Sequence, residues 1–259
     1  MTVRQVQFPR TLPAPAASAW LRVAFALSRD VSAVVAVVLF YFLLRGLAGW
    51  DESFAVDITQ RLIQFEKSTG IFHEAWVQEV SLRSHAVQEV ANFVYAYMHF
   101  PVLIAVGVWL WFRQRSQFSF MRNVMYVSMV FGLLFYYLLP AAPPRLMALH
   151  GYDLGFVDTV FGGNTAVSYA QPSFILNEYA AIPSFHFGWI ALASAALWVN
   201  TRSVVLRLVA ILLSVIMSWA IVASANHFFI DMVMGGLIIA LSWYIARRLE
   251  RRATRPRQA

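Results

Sequence analysis

Two short segments carry side chains that can attack an electrophile or move a proton. In Ala181-Ile-Pro-Ser-Phe-His186, Pro183 and Ser184 stand where a helix would begin, with His186 close behind them. Proline suits a first helical turn and serine suits its cap. The unpaired amides and partial positive charge of a helix start then favour an oxyanion such as phosphate. In Ser224-Ala-Asn-His-Phe-Phe-Ile-Asp-Met-Val-Met-Gly-Gly236, His227 and Asp231 are four residues apart and share one face of a helix. The carboxylate can take a proton from one imidazole nitrogen and leave the other basic, as nucleophilic catalysis requires. Taken singly, each segment also reads as structure alone: a capped helix with a histidine at the headgroup level, or a buried histidine satisfied by an aspartate. Arg145, in Pro140-Ala-Ala-Pro-Pro-Arg145, adds a cation. Two histidines, an aspartate, an arginine and a serine together match what a phosphoryl group needs: an oriented nucleophile, an acid for the leaving oxygen, and donors around the equatorial oxygens.

The elements that must hold these groups are read from composition. Of 259 residues, 60% are apolar and 13% charged, with a mean hydropathy of +0.62. Soluble domains average about 25% charged residues, so the chain belongs to the membrane class. The apolar stretch from Ala16 is broken by Arg22, Arg29 and Asp30, unlike a cleaved signal, so the first span is expected to be retained. With no cysteine there is no disulfide and no thiolate chemistry. Much of the net charge of +7 lies in Arg247, Arg248, Arg251, Arg252, Arg255 and Arg257. That tail reads as an anchor to a cytoplasmic membrane surface rather than a nucleic-acid site.

A span needs ~20 apolar residues, and six stretches approach that: 31–50, 87–112, 123–139, 183–199, 204–224 and 228–246. The predicted fold is all-α and polytopic: a cytoplasmic N-terminal segment over 1–30, a six-helix transmembrane catalytic domain over 31–246, and a basic cytoplasmic tail over 247–259. Arg4, Arg10, Arg22 and Arg29 precede the first span, Arg113, Arg115 and Arg122 join the second to the third, and Arg202 and Arg207 join the fourth to the fifth. The positive-inside rule therefore puts both termini in the cytoplasm and two long loops outside. In the first outer loop, Phe54, Ile58, Leu62 and Phe65, then Phe72, Trp76 and Val80, predict two amphipathic helices on the membrane surface, parted near Gly70. The second, 140–182, is rich in proline and glycine, including Gly162 and Gly163, and should cover or line an outer site. By this topology His186 opens the fourth span, His227 the sixth, and Arg145 ends the third at the same level.

Asn92, Tyr95 and His99, spaced three and four, form a polar stripe on the second span, suited to a headgroup or to bonds between helices. Glu89 extends it toward the surface. His73, His85 and His150 read as solvated. Arg45, near the end of the first span, can snorkel to the interface and needs no functional explanation.

Pro183-Ser184-Phe185-His186 and His227-Phe-Phe-Ile-Asp231 resemble the Pro-Ser-x-His and His-x-x-x-Asp motifs of the type 2 phosphatidic acid phosphatase superfamily. Asn92-Phe-Val-Tyr-Ala-Tyr-Met-His-Phe-Pro101, Pro140 to Arg145, Asn177 to His186 and Asn226-His227 look most like its inositol phosphorylceramide synthase branch and that branch's bacterial relatives. The resemblance implies that His227 becomes a phosphohistidine, Asp231 orients it and His186 protonates the leaving group. Arg145 and Ser184 would hold phosphate oxygens, and Asn92, Tyr95, His99, Asn177 and Asn226 would contact substrate. Two cationic positions of the phosphatase pattern are missing: no lysine or arginine lies between Asn123 and Pro144, and position 221 is isoleucine. A weaker clamp suits a phosphodiester, hence headgroup transfer.

The expected protein is an integral-membrane lipid phosphatase or headgroup phosphotransferase that needs no cofactor or metal. Its site faces outward from a bacterial plasma membrane. It acts on a phospholipid or lipid phosphate, with water or an inositol-like polyol as acceptor. Two rivals use the same residues: a transporter or channel relaying protons through the intramembrane His and Asp side chains, and a metal-dependent membrane hydrolase ligated by His186, His227 and Asp231.

Overall fold

A computed structural model describes residues 16–49, 51–162, 166, 172 and 176–253, with side chains described from residue 20 within the first helix. Arg4, Arg10, Gly163, Arg255 and Arg257 lie outside the described residues. Every regular element described is helical. The chain divides into two compact units, residues 1–40 and 41–259. The described part of the first is the opening stretch of helix α1 (Ala16–Leu47), which runs through Arg22, Arg29 and Asp30 without a break. Charged side chains leave the backbone ladder intact, so the helix starts well before the apolar run does.

The second unit takes the end of α1 and all that follows. Helices α2 (Glu52–Thr69) and α3 (Glu74–Leu82) form the first loop. Then come α4 (His85–Phe93), a wide π-helical turn over Val94–Met98, and α5 (His99–Arg113) as one continuous rod. Helix α6 (Arg115–Leu138) leads to a short 3-10 helix over Pro144–His150. Helices α7 (Phe185–Asn200), α8 (Val204–Ala223) and α9 (Phe229–Ala253) complete the unit. Among the described residues, five stretches are long and apolar enough to cross a membrane: Trp20–Leu47, His85–Arg113, Arg115–Leu138, Val204–Ala223 and Phe229–Ala253. The expected fourth span is a helix of only 16 residues, α7. At about 1.5 Å per residue it falls short of a hydrocarbon core about 30 Å thick. Ser184 caps its start, accepting from the Phe187 amide at 3.4 Å.

Asp51 caps α2 by accepting from the Ser53 amide at 2.9 Å, and Gly70, at φ 75°, ends it in the left-handed conformation that glycine adopts without strain. Only part of the apolar stripe of these loop helices is covered, Ile58, Leu62 and Phe72 packing against the core. Phe54, Phe65, Trp76 and Val80 are exposed, whereas Thr59, Glu66, Glu74, Gln78 and Ser81 are turned into the protein. Buried polar groups need partners. Gln78 supplies two to Val157, donating to its carbonyl at 2.7 Å and accepting from its amide at 2.9 Å.

Helix α7 sits against α5, α6, α8 and α9. Its approach to α9 depends on glycine at both sides. A Cβ on Gly235 would run into the Ser184 carbonyl, and one on Gly188 would lie 3.1 Å from the Gly235 carbonyl. Because the obstacle is backbone, Gly235→Ala is expected to cost at least about 1–3 kcal/mol and to push apart the helix starts that carry His186 and Asp231. A lowered melting temperature together with lost turnover would show this; an unchanged melting curve would contradict it.

Candidate active site

The turn from α8 into α9 sets the first catalytic candidate. Ala225 adopts φ 53°, an uncommon conformation for a residue with a Cβ, and is wholly buried. Its carbonyl accepts from the Arg145 amide at 3.0 Å, which ties this turn to the 3-10 helix. His227 follows two residues later. Asp231, in the first turn of α9, reaches back: its Oδ2 accepts from the Phe228 amide at 2.9 Å and lies 3.3 Å from His227 Nδ1. This is half of a capping box, and the same oxygen fixes the imidazole. With Nδ1–H given to the carboxylate, Nε2 keeps its lone pair on a ring that lines the cavity. The Asp231 carbonyl accepts from the Ser184 amide at 2.9 Å, fastening the start of α7 to the start of α9.

The next two amides of α9 are taken by acids from the loop helices. Glu74 Oε1 accepts from the Phe229 amide at 2.8 Å and Glu66 Oε1 from the Ile230 amide at 2.7 Å. Both side chains are wholly buried. Three acidic side chains therefore satisfy three successive amides at a helix start, where the backbone itself offers no acceptor. Burial, reinforced by the neighbouring Glu74 carboxylate, pushes the Glu66 carboxyl up to about 9. At neutral pH Glu66 is thus protonated and can share its proton with Glu74.

Stability follows from the sign of that shift. The unfolded chain gives up this proton near 4.5 and the folded chain holds it to about 9, so stability falls as pH rises through that window. Glu66→Gln carries a permanent N–H and still offers an oxygen to Ile230. It is expected to flatten the dependence and to raise the melting temperature relative to wild type at pH 8–9, checked by melting curves across pH.

The second histidine meets the first across one cavity of about 330 Å³, lined by side chains that include Tyr95, His99, Arg145, His186 and His227. The His186 and His227 ring centroids are 5.8 Å apart. Tyr95 lies 4.4 Å from His186 and 6.4 Å from His227, against both rings. His99 lies 5.0 Å from His186 and stacks on Trp189 at 5.4 Å, while the Trp189 indole N–H donates to Ser128 at 3.0 Å. His99 Nε2 is buried with no hydrogen-bond partner among the described residues.

The structure divides the polar stripe of the second span. Tyr95 and His99 reach the cavity, but Asn92 is not part of its lining. Asn92 fastens the second loop, donating to the Thr159 carbonyl at 2.8 Å and accepting from Gln88 at 3.0 Å. The π-helical turn separates them. Pro101 lacks the N–H that would bond the carbonyl of Tyr97, and the widened turn lies just before it. Ser184 is likewise absent from the lining, its hydroxyl engaged as the α7 cap. Asn177 and Asn226 both line the cavity and hold other wall groups. Asn177 accepts from the Tyr179 amide at 3.1 Å and donates to the Arg45 carbonyl at 3.1 Å. Asn226 accepts from Arg145 Nε at 3.1 Å.

Arg145 is heavily committed. Its Nη1 is 3.2 Å from Asp158 and its Nη2 is 3.7 Å from Glu178, while the guanidinium carbon lies 4.2 Å over the Phe161 ring. Ile221, at the position where the phosphatase pattern has a cation, is wholly buried in an apolar cluster with Met217 and Ala220. Arg45, set aside on the sequence as a snorkelling side chain, lines the cavity instead. Glu66 and Glu74, on loop helices α2 and α3, likewise act on the site from a distance. Nothing local in the sequence marks any of these three, because their partners are more than a hundred residues away. Among the described residues, no group of three or more His, Cys, Asp or Glu side chains is placed to hold a metal ion.

Comparison with known proteins returns one family. A model described as the PAP2 superfamily matches residues 60–245, a stretch that contains every candidate residue above except Arg45. No curated protein and no solved structure matches the chain.

Proposed function

Because the chain belongs to the PAP2 superfamily, whose members are phosphatases and phosphotransferases, we propose that it moves the phosphoryl group of a membrane lipid by way of a phosphohistidine. The observation that carries this reading is the pairing of His186 and His227, 5.8 Å apart in one cavity, with Asp231 behind His227 Nδ1. His227 Nε2 attacks phosphorus, and the P–N bond forms as the P–O bond to the leaving alcohol breaks. His186 gives that alcohol its proton. It then takes a proton from the acceptor hydroxyl, which attacks phosphorus and frees His227. Arg145 meets a phosphate oxygen as Glu178, the half-exposed and longer of its two acidic partners, withdraws. Ser184 contributes by capping α7 rather than by touching phosphate.

The charge around the cavity favours headgroup transfer from a phosphodiester. Arg145 is already flanked by Asp158 and Glu178, so a singly charged diester is easier to hold than a doubly charged monoester. Resemblance to the inositol phosphorylceramide synthase branch adds a polyol to water as candidate acceptor. The asymmetric distribution of arginine supports a site on the extracytoplasmic face of the membrane.

The test is to supply the purified chain with lipid phosphates and headgroup phospholipids, with and without inositol, and to follow free phosphate and new lipids by mass spectrometry. A new headgroup-bearing lipid supports transfer, and free phosphate from monoesters alone supports hydrolysis. If no substrate turns over, the reading fails. Loss of activity on exhaustive chelation would favour the metal-dependent rival.

A further inference from the structure

The cavity contains two arginines whose surroundings differ sharply. Every nitrogen of the Arg145 guanidinium has a partner: Nε bonds Asn226, Nη1 pairs with Asp158 and Nη2 faces Glu178. Its charge is offset before any ligand arrives. Arg45 stands on the last turn of α1. Its Nη2 donates to the Asn177 carbonyl at 3.2 Å, and its guanidinium carbon lies 5.8 Å from the Phe42 ring centre and 5.9 Å from that of Tyr136. A backbone carbonyl and two aromatic faces orient a cation without neutralising it. Among the described residues no carboxylate pairs with Arg45. A guanidinium in a largely apolar recess is costly unless paired, and the space beside it is the cavity that also holds His186 and His227.

We propose that Arg45 is a phosphate-binding residue, supplying from the first helix the uncompensated positive charge that receives the anionic oxygens of the substrate phosphate. This rests on the phosphoryl-transfer reading and adds to it a residue and a charge rule. With Arg145 still matched by Asp158 when Glu178 withdraws, Arg45 is the uncompensated cation among the described residues lining the cavity, and one negative charge is what it balances. The guanidinium fork suits two phosphate oxygens, whereas lysine would present a point charge. The Asn177 side chain, donating to the Arg45 carbonyl while the Asn177 carbonyl accepts from Nη2, holds this arginine at the cavity wall.

The probe is orthovanadate, a tetrahedral phosphate mimic, added to the purified full chain in detergent. Its affinity is read from the rise in melting temperature, alongside KM and kcat for lipid turnover. Arg45→Gln is expected to weaken orthovanadate binding about ten- to a hundredfold and to raise KM more than it lowers kcat. Arg45→Lys should recover part of the affinity. On the wild-type chain, phenylglyoxal, which modifies guanidinium groups, should label Arg45, and orthovanadate should block that label in peptide mass spectra. This second measurement stands even if Arg45→Gln does not fold. Wild-type affinity in Arg45→Gln overturns the proposal and leaves phosphoryl transfer intact. So does labelling of Arg45 undiminished by orthovanadate in a chain that orthovanadate stabilises. A wild-type chain that neither binds orthovanadate nor turns over any phosphorylated lipid overturns both.

Discussion

His227→Ala is expected to reduce turnover by at least about 10⁴-fold, to the background level, and to abolish covalent incorporation of phosphorus from a labelled lipid substrate. The P–N bond of a phosphohistidine is acid-labile, so the adduct must be trapped by alkaline quench. The substitution leaves the local fold its principal supports. Asp231 Oδ2 still accepts from the Phe228 amide, and Glu66 and Glu74 still hold the two amides that follow. A folded, inactive variant is therefore expected, with a cooperative melt close to that of the wild type. Retained phosphorus labelling in His227→Ala would place the nucleophile elsewhere.

His186→Ala should act differently, because an acid and base can be partly bypassed where a nucleophile cannot. A loss of about 10²–10⁴ in turnover is expected for a lipid whose leaving group is an alkoxide. With an aryl phosphate, whose leaving group needs no proton, the first step should be nearly spared. The second step still lacks its base, so the phosphoenzyme should accumulate and appear as a burst. Equal losses for both leaving groups would argue that His186 binds substrate rather than moving its proton. Its contacts with Tyr95 and His99, at 4.4 and 5.0 Å between ring centres, give such a role a structural basis.

What could be read from the sequence was the chemistry that is local in the chain. His227 and Asp231 do meet, but not as two residues on one helical face: His227 precedes α9, and Asp231 in the first turn reaches back to it, while Ser184 caps α7 for reasons visible in its neighbours. The helical, membrane-class character followed from composition in the same way. The surroundings of the site did not, since they depend on pairings across the fold. Glu66 and Glu74 look like ordinary loop acids until their partners, the amides of Phe229 and Ile230, are found more than 150 positions downstream. Arg45 looks like an interfacial anchor until Asn177 is set beside it. The stripe of Asn92, Tyr95 and His99 assumed a uniform helical period, and the widened turn before Pro101 breaks that assumption. The apolar stripe of the loop helices is divided, with Phe54, Phe65 and Trp76 exposed and Ile58, Leu62 and Phe72 packed against the core. Their opposite face holds acids that sequence polarity alone assigns to water.

The backbone-to-backbone packing of Gly188 and Gly235 has an evolutionary corollary. Helices α7 and α9, whose starts hold His186 and Asp231, cannot spread or slide without losing that contact, so the spacing of the candidate groups is insulated from sequence drift. Room for a bulkier or differently charged ligand would therefore come from walls away from that contact, among them the end of α1 and the segment after the 3-10 helix.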